Sequence, residues 1–227
     1  MGKILVLYGD IWHSKEVVKT GLSYLPAFYD QMTFVEDAKD MLTAADLADY
    51  DLVICCKGNN LTEGNSAHWF EEGVNELTPK DLEAYVKGGG SYIALHAGNS
   101  FFEIPADEHL NKPARDYINF VGNYFITHPA RCPVTYHVTD ACHPVTADVK
   151  DFCERDEHYQ IGMVAEDAHI LMESTSADGE KMPAAYVREI GSGRLCALMP
   201  GHILSVWQNP QFQKLLSNAI NWCMDKQ

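Results

Sequence analysis

The sequence lacks the features of nucleic-acid-binding, membrane-spanning and secreted proteins. Its 17 lysines and arginines stand against 32 aspartates and glutamates, so the formal net charge is −15, and no basic cluster offsets it. Nucleic acids and anionic membranes are therefore poor partners. No apolar run approaches the roughly 20 residues that span a bilayer. The chain also starts on a predicted strand, without the basic start, long apolar middle and cleavage site of a signal peptide. We therefore expect a soluble cytoplasmic protein.

Cysteine pairs with redox or metal-binding spacing are missing as well. The chain has seven cysteines, an odd number, and no C-x-x-C pair. The adjacent Cys55 and Cys56 and the five scattered cysteines are therefore expected to be reduced, buried thiols. A nucleophile at Cys55 or Cys56 is the alternative, but only Lys57 lies close enough in sequence to lower a thiol pKa, so a core pair is favoured. The G-x-G-x-x-G and Walker patterns are also absent, which argues against nucleotide binding.

The composition suits one α/β domain covering residues 1–227, since 46% of the residues are hydrophobic and 22% are charged. Short apolar runs at 4–8, 32–35, 51–56 and 91–95 predict buried strands, and helical patterns separate them. This order predicts a doubly wound, mostly parallel sheet with helices on both faces, of the flavodoxin-like type. Alternating segments after residue 130 predict additional β-rich structure in the C-terminal half.

Helices and loops are predicted from caps and turn residues. Ser14 is a candidate N-cap for a first helix, and Thr78 with Pro79 opens another. A closing helix is predicted over 210–223 and a weak helical pattern over 42–47, whereas 57–73 is predicted as a loop. Residues 99–113 are irregular, and 117–124 form a short amphipathic segment.

Three histidines follow predicted strands. His13 follows the first strand, His96 follows 91–95, and His202 follows a late strand over 194–199. In a doubly wound sheet ligands bind in the crevice at the carboxyl ends of the strands, so we expect the three rings to share a pocket. His96 is followed by small residues, which suits the tip of a sharp strand-to-helix turn. A core histidine bonded to a backbone carbonyl is the alternative for His96.

An acidic cluster over residues 154–159 is a fourth candidate. It contains Glu157 and Tyr159 and has apolar sequence on both sides. A solvated charge run is the alternative interpretation of this segment. If the cluster is functional, we expect Glu157 to line the same pocket as the three histidines.

Together these segments resemble a known family. The motifs that carry the resemblance follow one another along nearly the whole chain: Leu95-His96-Ala97-Gly98, Tyr124-Phe125, His128-Pro129, His143-Pro144-Val145-Thr146, Asp156-Glu157-His158-Tyr159, Gly191-Ser192-Gly193-Arg194, Gly201-His202 and Asn221-Trp222. In this combination the chain resembles the ThuA-like (trehalose utilisation) family, which belongs to the class I glutamine amidotransferase-like folds. One departure is Tyr186, where tryptophan is more usual, and we expect it to alter the pocket wall.

The resemblance implies carbohydrate catabolism rather than glutamine hydrolysis. True amidotransferases carry cysteine at the turn as G-x-C-x-G, whereas residues 94–98 read Ala-Leu-His-Ala-Gly. Without a thiol at the tip, a thioester mechanism has no nucleophile. What the family implies instead is sugar catabolism, in gene clusters with oxidoreductases that make 3-keto sugars.

We therefore predict an enzyme that acts on a sugar, a glycoside or a 3-keto-sugar derivative by acid–base chemistry, as a lyase, hydrolase or isomerase. His96 or Glu157 would be the base, with His13 and His202 as acid or electrophile and Tyr159 orienting. A non-catalytic carbohydrate-binding or regulatory protein is the alternative.

Further residues are predicted to bind the ligand or a metal. The predicted substrate-binding residues are Asp10, Trp12, Asn99, His128 and Asp156. The cofactor hypothesis is a divalent metal, zinc or similar, on His13, His96 and His202, and the alternative is that these histidines bond sugar hydroxyls. The expected partner is a small carbohydrate, and the sequence is compatible with a homo-oligomer.

Overall fold

The computed structural model describes residues 2–36, 42–58, 77–103, 112–113, 115–177 and 179–225. Within these ranges the helices are α1 (Lys15–Ser23), α2 (Pro26–Tyr29), α3 (Pro79–Lys87), α4 (Arg115–Val121), α5 (Leu204–Gln208) and α6 (Pro210–Met224). The strands are β1 (Ile4–Tyr8), β2 (Met32–Val35), β3 (Leu52–Cys56), β4 (Ser91–Leu95), β5 (Phe102–Glu103), β6 (Lys112–Pro113), β7 (Asn123–Thr127), β8 (Cys132–Val138), β9 (Phe152–Asp156), β10 (Gln160–Met163), β11 (His169–Ser176), β12 (Gly179–Ile190) and β13 (Gly193–Leu198). Most of the predicted loop 57–73 and of the irregular segment 99–113 lies outside the described residues.

The main sheet has nine strands in the order β2-β1-β3-β4-β13-β12-β11-β8-β9. The first five are parallel, and from β13 onward each strand pairs antiparallel with the next. This confirms the predicted α/β class, the mostly parallel centre and the additional strands of the C-terminal half. Two small antiparallel pairs, β10-β7 and β5-β6, lie outside this sheet.

The central strands are covered on both faces. Every residue of β1, β3 and β4 is buried, as continuous apolar runs in a parallel sheet require. Successive side chains of β1 alternate between faces, so Ile4 and Val6 pack in one core cluster while Leu5 and Leu7 pack in the other. The closing helix α6 packs in the same core cluster as Ile4 and Val6. Its residues there are Phe212, Leu215, Leu216 and Ile220.

The predicted helix starts are present. Ser14 Oγ accepts a hydrogen bond from the Val17 amide at 3.4 Å at the start of α1. Thr78 and Asp81 form a reciprocal capping box at the start of α3, with Pro79 at the first helical position. These caps satisfy amide groups that have no partner inside the first turn.

One local prediction was wrong. The weak helical pattern over 42–47 gives a 3₁₀ turn at Asp46–Asp49 instead of a helix. The amphipathic segment 117–124 spans two elements, because α4 ends before Gly122, whose φ of +100° breaks the helix, and β7 follows. Among the described residues, no helix combines the length and apolar character needed to cross a membrane.

The prediction that every thiol is buried also fails at three positions. Cys142 and Cys153 are exposed and Cys132 is partly exposed, whereas Cys55, Cys56, Cys196 and Cys223 are buried. Cys153 lies on β9, an edge strand whose alternate residues face solvent. Burial raises the pKa of both Cys55 and Cys56, so neither is an activated nucleophile.

Candidate functional site

His96 stands on a strained turn directly after β4. Its φ of +45° lies in the left-handed region, which a non-glycine residue enters at a cost of about 1–2 kcal/mol. The surrounding structure fixes this conformation. Asn99 Nδ2 donates to the carbonyl oxygens of Ala94 at 2.9 Å and Leu198 at 3.0 Å. A Cβ on Gly98 would collide with the carbonyl oxygen of Cys55. The turn therefore projects the His96 ring beyond the carboxyl end of the sheet.

The protonation of the His96 ring follows from its neighbours. Nδ1 lies 2.8 Å from the Met199 carbonyl oxygen, which can only accept, so Nδ1 donates. In the neutral ring Nε2 then carries a lone pair. The ring also lies against Tyr159, with 4.4 Å between centroids. His96 thus presents an acceptor nitrogen from a fixed orientation.

His202 is positioned by a buried carboxylate. The amides of Gly201 and His202 donate to Asp156 Oδ2 and Oδ1 at 2.9 and 3.0 Å, and the Tyr136 hydroxyl donates to Oδ2 at 2.9 Å. Gly201 has a φ of +136°, which a side chain would strain. Asp156 is completely buried, so it fixes the loop after β13 from beneath.

Glu157 lies beside His202, although it follows β9, which is an edge strand of the sheet. Three strands separate β9 from β13 in the sheet order, yet Asp156 at the end of β9 bonds the loop after β13. The antiparallel half of the sheet therefore curls round at this edge. Glu157 Oε2 lies 3.2 Å from His202 Nδ1 and 3.6 Å from His96 Nε2.

Glu157 is ionised at neutral pH. Burial raises the pKa of the Glu157 carboxyl, but its contacts with His202 and His96 outweigh burial and leave the pKa well below its ordinary value. His128 lies on the outer side of this carboxylate, with Nε2 at 3.7 Å from Oε2. The His128 side chain is 35% exposed, so an imidazole that solvent reaches lies beside Glu157.

His13 completes the cluster and is held by Asp10. Its Nδ1 lies 2.8 and 2.9 Å from the two Asp10 carboxylate oxygens, and Asp10 Oδ2 also accepts from the Gly58 amide at 2.6 Å. Burial raises the pKa of Asp10, but His13 and the backbone amides outweigh burial and lower it overall. Asp10 is thus an ionised acceptor that keeps the proton on His13 Nδ1. The His13 ring centroid lies 5.3 Å from that of His96 and 5.4 Å from that of His202.

Four of the predicted site residues therefore meet in one cluster, and the three histidines among them line a pocket. The metal-binding or proton-accepting atoms of His13, His96, Glu157 and His202 lie within 4.8 Å of one another. Tyr159 adjoins them, but its phenol is buried, and burial followed by the negative charge of Glu157 raises its pKa far above the ordinary value. Tyr159 therefore contributes an aromatic surface and a neutral hydroxyl.

The predicted substrate-binding residues divide into two groups. Trp12 is 49% exposed and His128 is partly exposed, so both can touch a ligand. Asp10, Asn99 and Asp156 are buried, and they bond protein atoms. In the structure the polar atoms of these three residues hold the histidine loops, and their contact with a substrate stays a prediction.

Two further residues matter that the sequence analysis did not identify. Tyr136 bonds Asp156, and the signal for it was an inward-facing tyrosine on an alternating strand, whose hydroxyl needs a partner. The Met199 carbonyl orients His96, and a backbone group leaves no sequence signal. Tyr186, expected in the pocket wall, is instead fully buried in the core, where its hydroxyl donates to the Val121 carbonyl at 3.0 Å and accepts from Asn123.

Comparison with known proteins places these observations in a family. Residues 3–223 match the family model ThuA, described as trehalose utilisation. Among curated protein sequences, none matches this chain.

The structural comparisons agree with the family match. A ThuA-like protein from Bacteroides uniformis ATCC 8492 superposes with a TM-score of 0.72 at 17% identity, covering 99% of this chain and 92% of that one. A ThuA-like protein from Parabacteroides merdae ATCC 43184 gives 0.69 at 17% identity, covering 99% and 90%. A β-galactosidase from Bacillus circulans sp. alkalophilus gives 0.61 at 16% identity, covering 97% of this chain but 31% of that one. At such identities the likenesses show the fold alone.

Proposed function

Because the chain belongs to the ThuA, trehalose utilisation family, we propose that it is an enzyme that acts on a sugar, a glycoside or a 3-keto-sugar derivative. The reaction takes place at the cluster of His13, His96, Glu157 and His202. The observation that carries this proposal is the convergence itself. Three imidazoles and an ionised carboxylate from four distant parts of the chain meet at one pocket, held there by a strained turn and by buried carboxylates.

The chemistry that suits this cluster is proton transfer. A ketone acidifies the neighbouring C–H bond, so one base can remove that proton while an acid protonates the leaving oxygen or the enolate. The acceptor atoms directed at the pocket are His96 Nε2 and Glu157 Oε2. His13 and His202 supply the acid or the electrophile, because each ring is fixed by a neighbouring group and can return a proton or polarise an oxygen.

Two exposed side chains near the cluster in sequence or in space suit a carbohydrate ligand. Trp12 presents a half-exposed indole one residue before His13, and the flat apolar face of an indole packs well against the C–H face of a sugar ring. His128 offers a partly exposed imidazole beside Glu157. These two side chains can bind the substrate while the buried cluster carries out the reaction.

The direct test follows product formation and proton exchange together. The protein is incubated in D₂O with unoxidised disaccharides and with their 3-keto forms, and the sugars are analysed by mass spectrometry. We expect a product from the keto substrates. The carbon next to the ketone should gain deuterium if the enolate is reprotonated there, and should lose its hydrogen if the leaving oxygen is expelled. His96→Ala and Glu157→Gln should lower the rate roughly 10²–10⁴-fold, the usual contribution of acid–base catalysis. His137→Ala serves as the matched control, since His137 bonds Asp151 at the surface, and it should leave the rate unchanged.

Two other outcomes would contradict the proposal. Sugar binding without product or deuterium exchange would indicate a non-catalytic carbohydrate-binding or regulatory protein. If the cluster variants turned over substrate as fast as the wild type, the chemistry would lie elsewhere in the chain.

A further inference from the structure

The same four side chains are arranged as metal ligands. We propose that His13, His96, His202 and Glu157 bind one first-row divalent cation, of which Zn²⁺ is the best-matched probe. The inference shares its pocket with the proposed function, but it does not depend on the identity of the substrate.

The distances fit a coordination sphere. Zn²⁺ binds imidazole nitrogen and carboxylate oxygen at about 2.0–2.2 Å, so two ligand atoms of a tetrahedral site are separated by about 3.3–3.6 Å. His96 Nε2 lies 3.2 Å from His202 Nδ1, Glu157 Oε2 lies 3.2 Å from His202 Nδ1, and it lies 3.6 Å from His96 Nε2. All three edges of one face are therefore within about 0.1 Å of the required range before any ion is bound.

The orientation of the rings also fits. His96 uses Nδ1 on the Met199 carbonyl, and His13 uses Nδ1 on Asp10, so each ring leaves Nε2 for a metal. Metal-binding histidines almost always donate their second nitrogen to a carbonyl or a carboxylate, which fixes the tautomer and increases the basicity of the ligand. Here the outer partner of His96 is the Met199 carbonyl, and the outer partner of His13 is the Asp10 carboxylate.

The charges balance as well. Glu157 in the cluster and Asp10 behind His13 supply two negative charges, which equal the charge of one dication. All four ligand side chains are at most 14% exposed. A carboxylate beside three largely buried imidazoles is a mixed nitrogen and oxygen set that first-row divalent ions accept.

Metal binding would change the assignment of the proton-transfer groups. The lone pairs of His96 and Glu157 are then used in coordination. His128 lies 3.7 Å from Glu157 and is not in the ligand set, so its imidazole stays free of the metal. The alternative is that a proton shared between His96 and His202 accounts for their close approach without any metal.

The test measures the metal itself. The protein is purified without chelator and analysed for elements, then stripped with chelator and titrated with Zn²⁺ by calorimetry and with Co²⁺ by visible absorption. We expect one ion per chain in both titrations. His96→Ala and His202→Ala should lose retained metal, whereas His128→Ala and His137→Ala should keep it. Asp10→Asn should weaken Zn²⁺ binding roughly 10–100-fold, the usual effect of removing an outer partner.

The proposal is overturned if wild-type protein retains no stoichiometric metal and added Zn²⁺ binds it no more tightly than it binds the His96→Ala/His202→Ala double variant. Thermal melting of each variant shows whether it folds, and the wild-type measurement decides the matter even where a variant does not. No substrate is present in these experiments, so a failure here is distinct from a failure of the proposed carbohydrate chemistry. Metal bound without turnover supports this inference alone, and turnover that survives complete removal of metal supports the acid–base mechanism alone.

Discussion

At the scale of single residues, the cluster depends on buried carboxylates that bond the protein backbone. Asp10 fixes His13, and Asp156 fixes the loop that carries His202. Each carboxylate accepts hydrogen bonds from backbone amides on one side of the pocket, so each converts a flexible loop into a rigid support. The geometry of the cluster of His13, His96, Glu157 and His202 is therefore determined partly by Asp10 and Asp156, which lie behind the two histidines.

Substituting Asp156 should test how strongly its buried carboxylate holds the loop that carries His202. In Asp156→Asn the amide nitrogen replaces an oxygen that accepts a hydrogen bond, so it faces either the His202 amide or the donors at Oδ2. We expect a loss of about 1–3 kcal/mol in the free energy of unfolding, measured with urea, because a buried donor loses its acceptor.

Asp151→Asn is the matched control. Asp151 also accepts from a backbone amide, that of Val138 at 2.8 Å, but its side chain is 56% exposed. Water can replace the lost acceptor there, so the change should stay below about 1 kcal/mol. Equal losses in the two variants would show that Asp156 is not a buried anchor.

At the scale of elements, the sequence predicts the strands and helix starts that depend on neighbouring residues alone. The strands at 4–8, 32–35 and 91–95 are found at the predicted residues because continuous apolar runs bounded by turn residues have few alternatives. The starts of α1 and α3 follow from capping side chains. The placement of His13, His96 and His202 at strand ends follows from the same pattern.

What the sequence could not supply depends on distant contacts. β9 is short, and its residues resemble a charge run, so no local pattern predicts a strand there. It is an edge strand because it pairs with β8. The proximity of Glu157 to His202 depends on the curl of the sheet, which no local pattern records. The burial of Asp10, Asn99 and Asp156 could not be predicted either, because a carboxylate or amide in sequence does not reveal which distant amides will bond it.

The turn after β4 is the element whose construction is easiest to test. Gly98→Ala places a Cβ against the Cys55 carbonyl oxygen, and backbone cannot move aside as a flexible side chain can. We expect a loss of roughly 1–3 kcal/mol in the free energy of unfolding, typical of overpacking, together with displacement of His96.

Gly88→Ala gives the comparison within the same fold. A Cβ at this helix end lies 3.4 Å from the nearest atom, an ordinary contact, and its φ of −79° suits any residue. Its free energy of unfolding should change by less than about 0.5 kcal/mol. A Gly98→Ala protein as stable as Gly88→Ala would mean that the turn is not constrained by Cys55.

At the scale of the whole molecule, β13 joins the parallel half of the main sheet to the antiparallel half. β13 pairs with parallel β4 on one side and with antiparallel β12 on the other. Leu195 and Cys196 of β13 belong to the two different core clusters. Neither half can be removed without exposing the strand that joins them.

We therefore expect unfolding in a single cooperative transition, as a single domain requires. The far-ultraviolet circular dichroism, which reports backbone structure, and the near-ultraviolet signal of the buried aromatic residues should give the same urea midpoint. Separate midpoints, with the antiparallel strands melting apart from the parallel ones, would indicate two independent units.

The four groups of the pocket lie at residues 13, 96, 157 and 202, which has a consequence during synthesis. Ribosomes deliver the chain from its amino end, so the first histidine is made long before the last, and no early fragment contains the complete set. The pocket therefore forms late, when β13 has entered the sheet and the long loops between the four groups have closed. An incomplete chain therefore lacks at least one of the four groups, and the complete set comes together only in the finished fold.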